Sequence, residues 1–587
     1  MGKIYTDEKN AQIVLALLKA HGIRRIVANP GTTNIAIVGS AQNDPWFQVY
    51  SGVDERHSAY MAVGMAVESG EPVVLSCTGA TASRNYYSAL TEAYYRKIPI
   101  LALTSIHHMN SAGNLLPQMI DRTVQPKDIV RYSMQCPVPY TAQQENDCIL
   151  NVNKALLELT RHGGGPVHIN LETERVSTFN TERLPEVDII RRISLLNSDW
   201  PDISPSSKVA LWIGSHRKFR KDELEAIENF VQHNNVVVLT DCTSGYKGLQ
   251  SISASLVGCQ QGAGANPDFQ GLKPDITIQI GEISGDYESF GFAGAAKEIW
   301  RVSEDGEARD LFNKLSVVFE MDEKSFFDHY SQGAGKTDFY KVWKESDKAI
   351  RENWPTLPFS NIWIAEQLSG RIPRGSQLHL GILNSLRSWD FLGNSVSTEA
   401  FSNVGGFGID GGLSTLIGAS LVNQSRLYFG VFGDLSFFYD LNSLGNRHIG
   451  KNVRILLVNN GCGAEFNLYS HYGSQFGEHT NDYIAAGRHF GNKSPTLVRH
   501  YAEDLGFAYI SANSQEEFVH GMDEFVSMNQ PRSVIFECFT DAKDESDALY
   551  AIKHIKPYQH GSTVGVRRVV SSLMPERVKR AIKELVR

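Results

Sequence analysis

The segment from Phe429 to Phe466, FGVFGDLSFFYDLNSLGNRHIGKNVRILLVNNGCGAEF, constrains the fold more tightly than any other stretch of the chain. An apolar run from Leu427 to Phe432 reads as a buried strand. Gly433 and Asp434 interrupt it, a helix-like stretch from Ser436 to Asn446 follows, and a second apolar run, Val453 to Val458, ends in Asn459-Asn460-Gly461. A strand, helix, strand unit of this length returns parallel. Asp434 and Asn460, 26 positions apart, then stand at the carboxyl ends of neighbouring strands. That edge is where open α/β sheets bind ligands. A carboxylate, an amide oxygen and nearby backbone carbonyls make a hard oxygen site suited to Mg²⁺ carrying a diphosphate. The helix start and glycine-flanked amides would cradle the phosphates. Taken alone, the same letters also describe an ordinary βαβ unit with Asp and Asn in its turns.

The rest of the chain repeats the alternation. Residues 7–22 carry Ile13, Val14, Leu17 and Leu18 at helical spacing, and Ile23 to Ala28 reads as a strand ending in the turn Asn29-Pro30-Gly31-Thr32-Thr33. Strands follow near Phe47 to Ser51, at Val73 to Cys77 and in IPILALTS, with GGPVHINLE as the last of the set. A Pro/Ser-rich link, Asn197 to Ser207, precedes a second series: VALWIG, a helix from Lys221 to Gln232, VVVLTD and KPDITIQIG. The third series holds the opening segment, and its last strand is expected over Arg532 to Thr540. The expectation is three successive doubly wound parallel-sheet α/β domains over 1–190, 205–340 and 355–545, with a helical tail over 546–587.

Composition narrows the class of function. With 42% hydrophobic and 21% charged residues, the 587-residue chain has material for full cores. A net charge of −9 opposes a nucleic-acid or anionic-membrane partner. No apolar run reaches the roughly 18 residues a spanning helix needs, and the polar start MGKIYTDEKNAQ has no signal core. Seven scattered cysteines without a CxxC pair read as reduced thiols of a cytoplasmic protein, with no zinc site.

The opening segment resembles the GDG…NN signature of thiamine-diphosphate (ThDP) enzymes, with Leu435 in place of the last glycine. GDLS followed by YDLN is similar to one branch, the menaquinone-pathway synthases that add decarboxylated 2-oxoglutarate to isochorismate. The resemblance covers most of residues 1–540 and implies pyrimidine, central and pyrophosphate domains. It implies that Asp434, Asn460 and the backbone carbonyl of Cys462 hold Mg²⁺, and that Gly433, Leu435 and Ser436 lie along the diphosphate. Asp54-Glu55-Arg56 resembles the family's DER, which implies that Glu55 hydrogen-bonds the aminopyrimidine and relays the proton that activates the thiazolium carbon. Thr78 to Asn85, including Gly79, resembles the small-residue loop that lets backbone approach the pyrimidine. Gly31 in NPGT matches a turn at the active-site mouth. Asn403 to Gly412, NVGGFGIDGG, resembles NRGASGIDG, with Gly408 beside Ile409, the apolar wedge that bends the cofactor and brings its amino group to the reacting carbon. Gln118 and Ser385 match retained residues near the substrate, and Phe466 matches an aromatic beside the site. His107-His108 is similar to the paired proton donors of decarboxylases but sits at a different spacing, and His471 and His479 lie in a segment that covers substrate. Glu55 and Asp434 are expected to meet only across a two-fold interface, as a homodimer or homotetramer.

The substrate side departs from the branch. Thr33, Trp389 and Val404 stand where it has arginines, and Gly285-Asp286-Tyr287 stands where it has GKR. Those cations grip substrate carboxylates, so a less charged acceptor is expected unless Arg84, Arg122 or Arg387 supplies the charge from a new position. The reaction expected is decarboxylation of a 2-oxo acid with transfer of the acyl-anion equivalent to a carbonyl or activated-alkene acceptor. The alternatives are plain decarboxylation, the menaquinone-pathway reaction itself, or a cofactor-free scaffold. No GxGxxG follows a strand in the middle domain, which opposes a flavin or NAD there.

Overall fold

The computed structural model describes residues 4–176, 178–260, 267–333, 335–393 and 398–555. The expected tail beyond 555 lies outside the described residues, but its first part is the end of a helix, Ala542–Lys553. The chain divides into two compact units, Met1–Ser198 with Glu304–Met321, and Asp199–Ser303 with Asp322–Arg587.

The first unit is built on β1 (Arg25–Ala28), β2 (Gln48–Ser51), β3 (Val73–Cys77), β4 (Ile100–His107), β5 (Tyr132–Cys136) and β6 (Val167–Thr173). They form one sheet in the order β2-β1-β3-β4-β6-β5, every pair parallel. Alternate residues feed opposite faces. Ile26, Val74 and Leu101 enter one core, and Val27, Val73 and Ile100 enter the other. Both faces are therefore covered, as a parallel sheet requires. The edge strand β5 is not marked in the sequence, because Tyr-Ser-Met-Gln-Cys is only partly buried and has no apolar run. β7 (Arg191–Ser194) pairs in parallel with the later β13 (Leu315–Glu320) in this same unit.

The second unit carries two series of strands. β8 (Val209–Ile213), β9 (Val236–Thr240), β10 (Ser251–Ser253), β11 (Ile276–Ile280) and β12 (Glu298–Val302) run in the order β10-β9-β8-β11-β12. β14 (Gln377–Leu380), β15 (Glu399–Ser402), β16 (Tyr428–Gly433), β17 (Val453–Asn459), β18 (Ala508–Ala512) and β19 (Val534–Phe539) form a sheet in the order β15-β14-β16-β17-β19-β18, all parallel. Three parallel-sheet α/β assemblies are thus present, as expected. One local detail differs. The helix after β16 starts at Asp434 itself and stops at Tyr439, and a 3₁₀ turn, Leu441–Gly445, completes the crossover. Asp440 ends the helix because its carboxylate turns back to accept hydrogen bonds from the Ser414 amide and hydroxyl.

Candidate active site

In the second unit, β16 and β17 run in register with Gly433 opposite Val458. Asp434 therefore leaves its strand beside Asn459 and Asn460, at the carboxyl edge. The two asparagines part company there. Asn459 turns into the sheet and donates to Glu537 at 2.7 Å, while the Asn460 side-chain oxygen stays at the edge and accepts the Cys462 amide at 3.3 Å. Gly461 has φ +79°, a backbone position that disfavours any side chain. It turns the chain so that its own amide faces Asp434. The Leu435 amide donates to Asp434 Oδ1 at 2.9 Å. Burial pushes the Asp434 carboxyl up from its ordinary range to about 7, against those amides and the more distant charge of Lys493. A buried carboxylate held by amides, an amide oxygen, and the carbonyl of Cys462, which already accepts the Ala464 amide at 2.9 Å, make an oxygen donor set that fits a hard divalent cation. The Cys462 thiol is buried and pushed up to about 12, chiefly by burial, so its sulfur is not poised to ligate as a thiolate.

Ile409 sits on the same edge. Its carbonyl accepts Ser436 Oγ at 2.6 Å, which ties the expected wedge to the first turn after Asp434. Gly408, Ile409, Asn403 and Ser436 line a cavity of about 10 Å³ together with His379 and Ser402. Gly412 also borders it, and a Cβ there would lie 2.7 Å from the Phe432 ring. Both ring nitrogens of His379 and the Ser402 hydroxyl are buried with no hydrogen-bond partner among the described residues. Burial holds the His379 imidazole down at about 4, so it is neutral. No sequence signal marks His379, which reads as one more residue of a buried strand. Lys493, which donates to the Thr540 carbonyl at 2.7 Å, is likewise unmarked because it comes from a distant loop. Phe466 is half-exposed and meets His471 edge-on at 5.3 Å.

The first unit gathers the other expected group. Glu55 is the first residue of the helix Glu55–Ser69, whose N-cap Asp54 accepts the His57 amide. Its charge reaches Tyr86 and Cys77, which are both buried. Tyr86 donates to Asn29 Oδ1 at 2.7 Å, and Asn29 donates to the Gly52 carbonyl just before the helix. The NPGT turn and the Thr78 loop touch directly. Thr33 and Thr78 hydroxyls are 2.7 Å apart, and a Cβ on Gly31 would fall 2.5 Å from Thr78 Cβ. Gly79 faces the Arg122 guanidinium, 3.0 Å from where its Cβ would be. Asn85 closes the short helix Thr81–Asn85 and is exposed. Gln118 is exposed on a loop at φ +66° and has no side-chain hydrogen bond among the described residues. His107 is tied to the Thr173 carbonyl at 2.8 Å, and its ring lies tilted by 36° against that of His108 at 3.9 Å. The described contacts therefore bring together Gly31, Thr78, Gly79 and the Glu55 helix start, and they leave Gln118 and His107 apart from them.

The positions of the replaced arginines are also resolved. Trp389, at one of those positions, is fully buried. Val404 is buried, and a Cβ on Gly285 would fall 2.9 Å from it, so the two segments close on each other. Arg387 is held in a two-pronged pair with Glu465 at 3.0 and 3.1 Å. Arg122 alone among the three candidate replacements is buried with nitrogens, Nε and Nη1, that have no partner among the described residues.

Residues 8–125 match the thiamine pyrophosphate enzyme, N-terminal TPP binding domain. Over nearly its whole length the chain is similar to 2-succinyl-5-enolpyruvyl-6-hydroxy-3-cyclohexene-1-carboxylate synthases. It is 30% identical to that of Phocaeicola vulgatus, covering 95% of this chain and 99% of the relative. It is 31% identical to that of Bacteroides thetaiotaomicron, with the same coverage of 95% and 99%, and 28% identical to that of Flavobacterium johnsoniae, covering 92% and 97%.

Proposed function

Because this chain belongs to the thiamine-pyrophosphate enzymes, in the family of the 2-succinyl-5-enolpyruvyl-6-hydroxy-3-cyclohexene-1-carboxylate synthases, we propose that it decarboxylates a 2-oxo acid and transfers the acyl-anion equivalent to an acceptor, forming a carbon–carbon bond. The observation that carries this reading is the oxygen edge of Asp434 and Asn460, a buried carboxylate with amide rather than cationic partners. Mg²⁺ and ThDP fit that edge: Asp434, Asn460 and the Cys462 carbonyl would hold the cation, and the Gly461 and Leu435 amides would face the diphosphate. Bound there, ThDP would supply a carbon nucleophile for the 2-oxo group and an electron sink for the loss of CO₂. Glu55 holds and returns the proton that keeps this carbon ionisable. Ile409, anchored through Ser436, shapes the cofactor, with Gly408 giving it room. Gly31, Thr78 and Gly79 form a small-residue wall for the pyrimidine.

The acceptor in this reading carries fewer carboxylates than isochorismate, since Thr33, buried Trp389 and Val404 supply no charge. A second reading is the relatives' own synthase reaction, favoured by similarity over 99% of their length and by the unpartnered charge of Arg122. A screen of 2-oxo acids for CO₂ release with Mg²⁺ and ThDP, followed by product analysis with carbonyl and alkene acceptors, tests the first. Coupling of 2-oxoglutarate to isochorismate with kcat/KM above about 10⁴ M⁻¹s⁻¹ establishes the second instead. Release of CO₂ with only the aldehyde as product reduces the assignment to a simple decarboxylase.

The active form is a homodimer or homotetramer in this reading. Val53, Tyr60, Val67 and Tyr95 are exposed apolar residues beside Glu55 in sequence or on the neighbouring helix, which supports an interface at the pyrimidine half. An active monomer in light scattering overturns it. No helix among the described residues is long and apolar enough to cross a membrane. With seven free cysteines and a net charge of −9, this supports a cytoplasmic enzyme without a nucleic-acid partner. The domain limits 1–190, 205–340 and 355–545 belong to this reading as pyrimidine, central and pyrophosphate domains.

A further inference from the structure

Cys136, the last residue of β5, and Cys148, on the helix Ala142–Glu158, approach with their sulfurs 3.5 Å apart. No other pair of cysteine sulfurs is in contact among the described residues, and all seven cysteines are free. Cys136 is fully buried, whereas Cys148 keeps 6% exposure. Both residues belong to the wall of a cavity of about 380 Å³, which also includes Met134, Tyr140, His108 and Glu172. A space of that size admits a small thiol compound. Neither cysteine belongs to the cofactor machinery described above, and the pair lies at the β5 edge of its sheet, with β6, β4 and β3 between it and β1.

We propose that Cys136 and Cys148 form a reversible thiol-modification site, a dithiol that a low-molecular-weight disulfide such as oxidised glutathione converts to an intramolecular disulfide. The two cysteines have different parts. The sulfurs lie within hydrogen-bond distance at 3.5 Å, and Cys148, which alone of the two keeps some exposure, is the attacking group. The Cys148 thiolate attacks one sulfur of the small disulfide, the S–S bond breaks, and one thiolate leaves. The released thiolate takes the Cys136 proton. The Cys136 sulfur then attacks the mixed disulfide, and the second small thiolate leaves. Two protein thiols are oxidised and one small disulfide is reduced to two thiols. Closure must bring the sulfurs from 3.5 Å to the roughly 2.05 Å of a disulfide.

The test is peptide mapping of the full-length protein under non-reducing conditions after incubation with oxidised glutathione. The expected result is a peptide carrying Cys136 joined to one carrying Cys148, reversed by dithiothreitol, with two of the seven thiols lost to titration. Cys148, the more exposed of the two, is expected to react before Cys136. Cys136→Ser is expected to stop at a stable mixed disulfide on Cys148, and Cys148→Ser to leave Cys136 unmodified. Circular dichroism verifies folding, and Cys148→Ala replaces Cys148→Ser if the serine hydroxyl unfolds the protein. The proposal is overturned if both thiols survive prolonged incubation while titration in denaturant still counts all seven. It is equally overturned if the bond that forms involves another cysteine.

Discussion

Thr33 and Arg122 converge on one acceptor: the Thr33 hydroxyl donates to the Ser105 carbonyl at 3.0 Å, and Arg122 Nη2 donates to the same oxygen at 3.3 Å. Thr33 stands where the resembled branch has an arginine, so a guanidinium still reaches this spot, from a loop some 90 positions later in the chain. Burial lowers Arg122 to about 10, and its Nε and Nη1 have no partner among the described residues. A buried cation without a carboxylate destabilises the protein that holds it. Arg122→Met is therefore expected to raise the melting temperature of the ligand-free enzyme. The same change is expected to raise KM for the 2-oxo acid by roughly 10- to 100-fold, the worth of one charge-assisted hydrogen bond to a carboxylate. A lower melting temperature with unchanged KM would make Arg122 a structural residue. Thermal melts and steady-state kinetics on one preparation decide it.

The Asp434 carboxyl gives a pH dependence with a definite sign. Its folded value is raised to about 7, and that of the fully buried Glu545, which accepts the Asn361 amide, moves the same way to about 7. Without a cation, the stability tied to these protons is fully present below about pH 4, the unfolded carboxyl range. It is lost as pH rises through 7. A divalent cation must displace the Asp434 proton. Mg²⁺ affinity in the presence of ThDP should thus fall by up to about tenfold per unit below pH 7 and level off above it. Titration calorimetry from pH 5.5 to 8.5 measures this, and a flat profile would remove Asp434 from the cation site. Asp434→Ala should abolish Mg²⁺-dependent ThDP binding at every pH in that range.

How much of this was legible in the sequence follows from what each residue reports. Asp434 and Asn460 are legible because the period of the flanking strands fixes their edge, and β16 and β17 confirm the register. Glu55 is legible because a helix start after a strand localises it. Gly31 and Thr78 are readable as turns, but their contact is not, since only the sheet order β2-β1-β3 brings the two loops side by side. His379 is invisible because burial, not spacing, makes it unusual. Trp389 is the reverse case: its place in the sequence is plain but its full burial is not, because the short helix Asn384–Asp390 turns it into the core. The edge strand β5 has no apolar run to mark it, so the contact between Cys136 and Cys148 is not legible either.

Glu55→Gln keeps the volume and the hydrogen-bonding reach of the side chain but cannot hold a proton. The variant should fold and bind ThDP, because Glu55 does not belong to the oxygen edge at Asp434. Proton–deuterium exchange at the thiazolium carbon should slow by roughly 10²- to 10⁴-fold, the usual worth of a positioned acid–base group. Nuclear magnetic resonance of quenched samples measures the exchange. A wild-type rate would take Glu55 out of the proton relay while leaving the cofactor assignment intact.

The last prediction concerns the wall formed by the two loops. A Cβ on Gly31 would lie 2.5 Å from Thr78 Cβ and 2.8 Å from Asn34 Oδ1. Thr78 Cβ is fixed by its own backbone and cannot swing away, so Gly31→Ala must push the NPGT turn off the Thr78 loop. Overpacking of this kind costs about 1–3 kcal/mol. It should also break the 2.7 Å contact between the Thr33 and Thr78 hydroxyls, which spans the same gap. Thr78→Gly removes the obstructing carbon. The double variant Gly31→Ala/Thr78→Gly should therefore recover part of the stability lost by Gly31→Ala, giving a coupling of at least about 0.5 kcal/mol in a double-mutant cycle. In the proposed reading these loops form the wall for the pyrimidine, so ThDP affinity should follow the same pattern. Additive effects on unfolding would mean that the two loops do not touch, and the wall would then have to be sought elsewhere in the first unit.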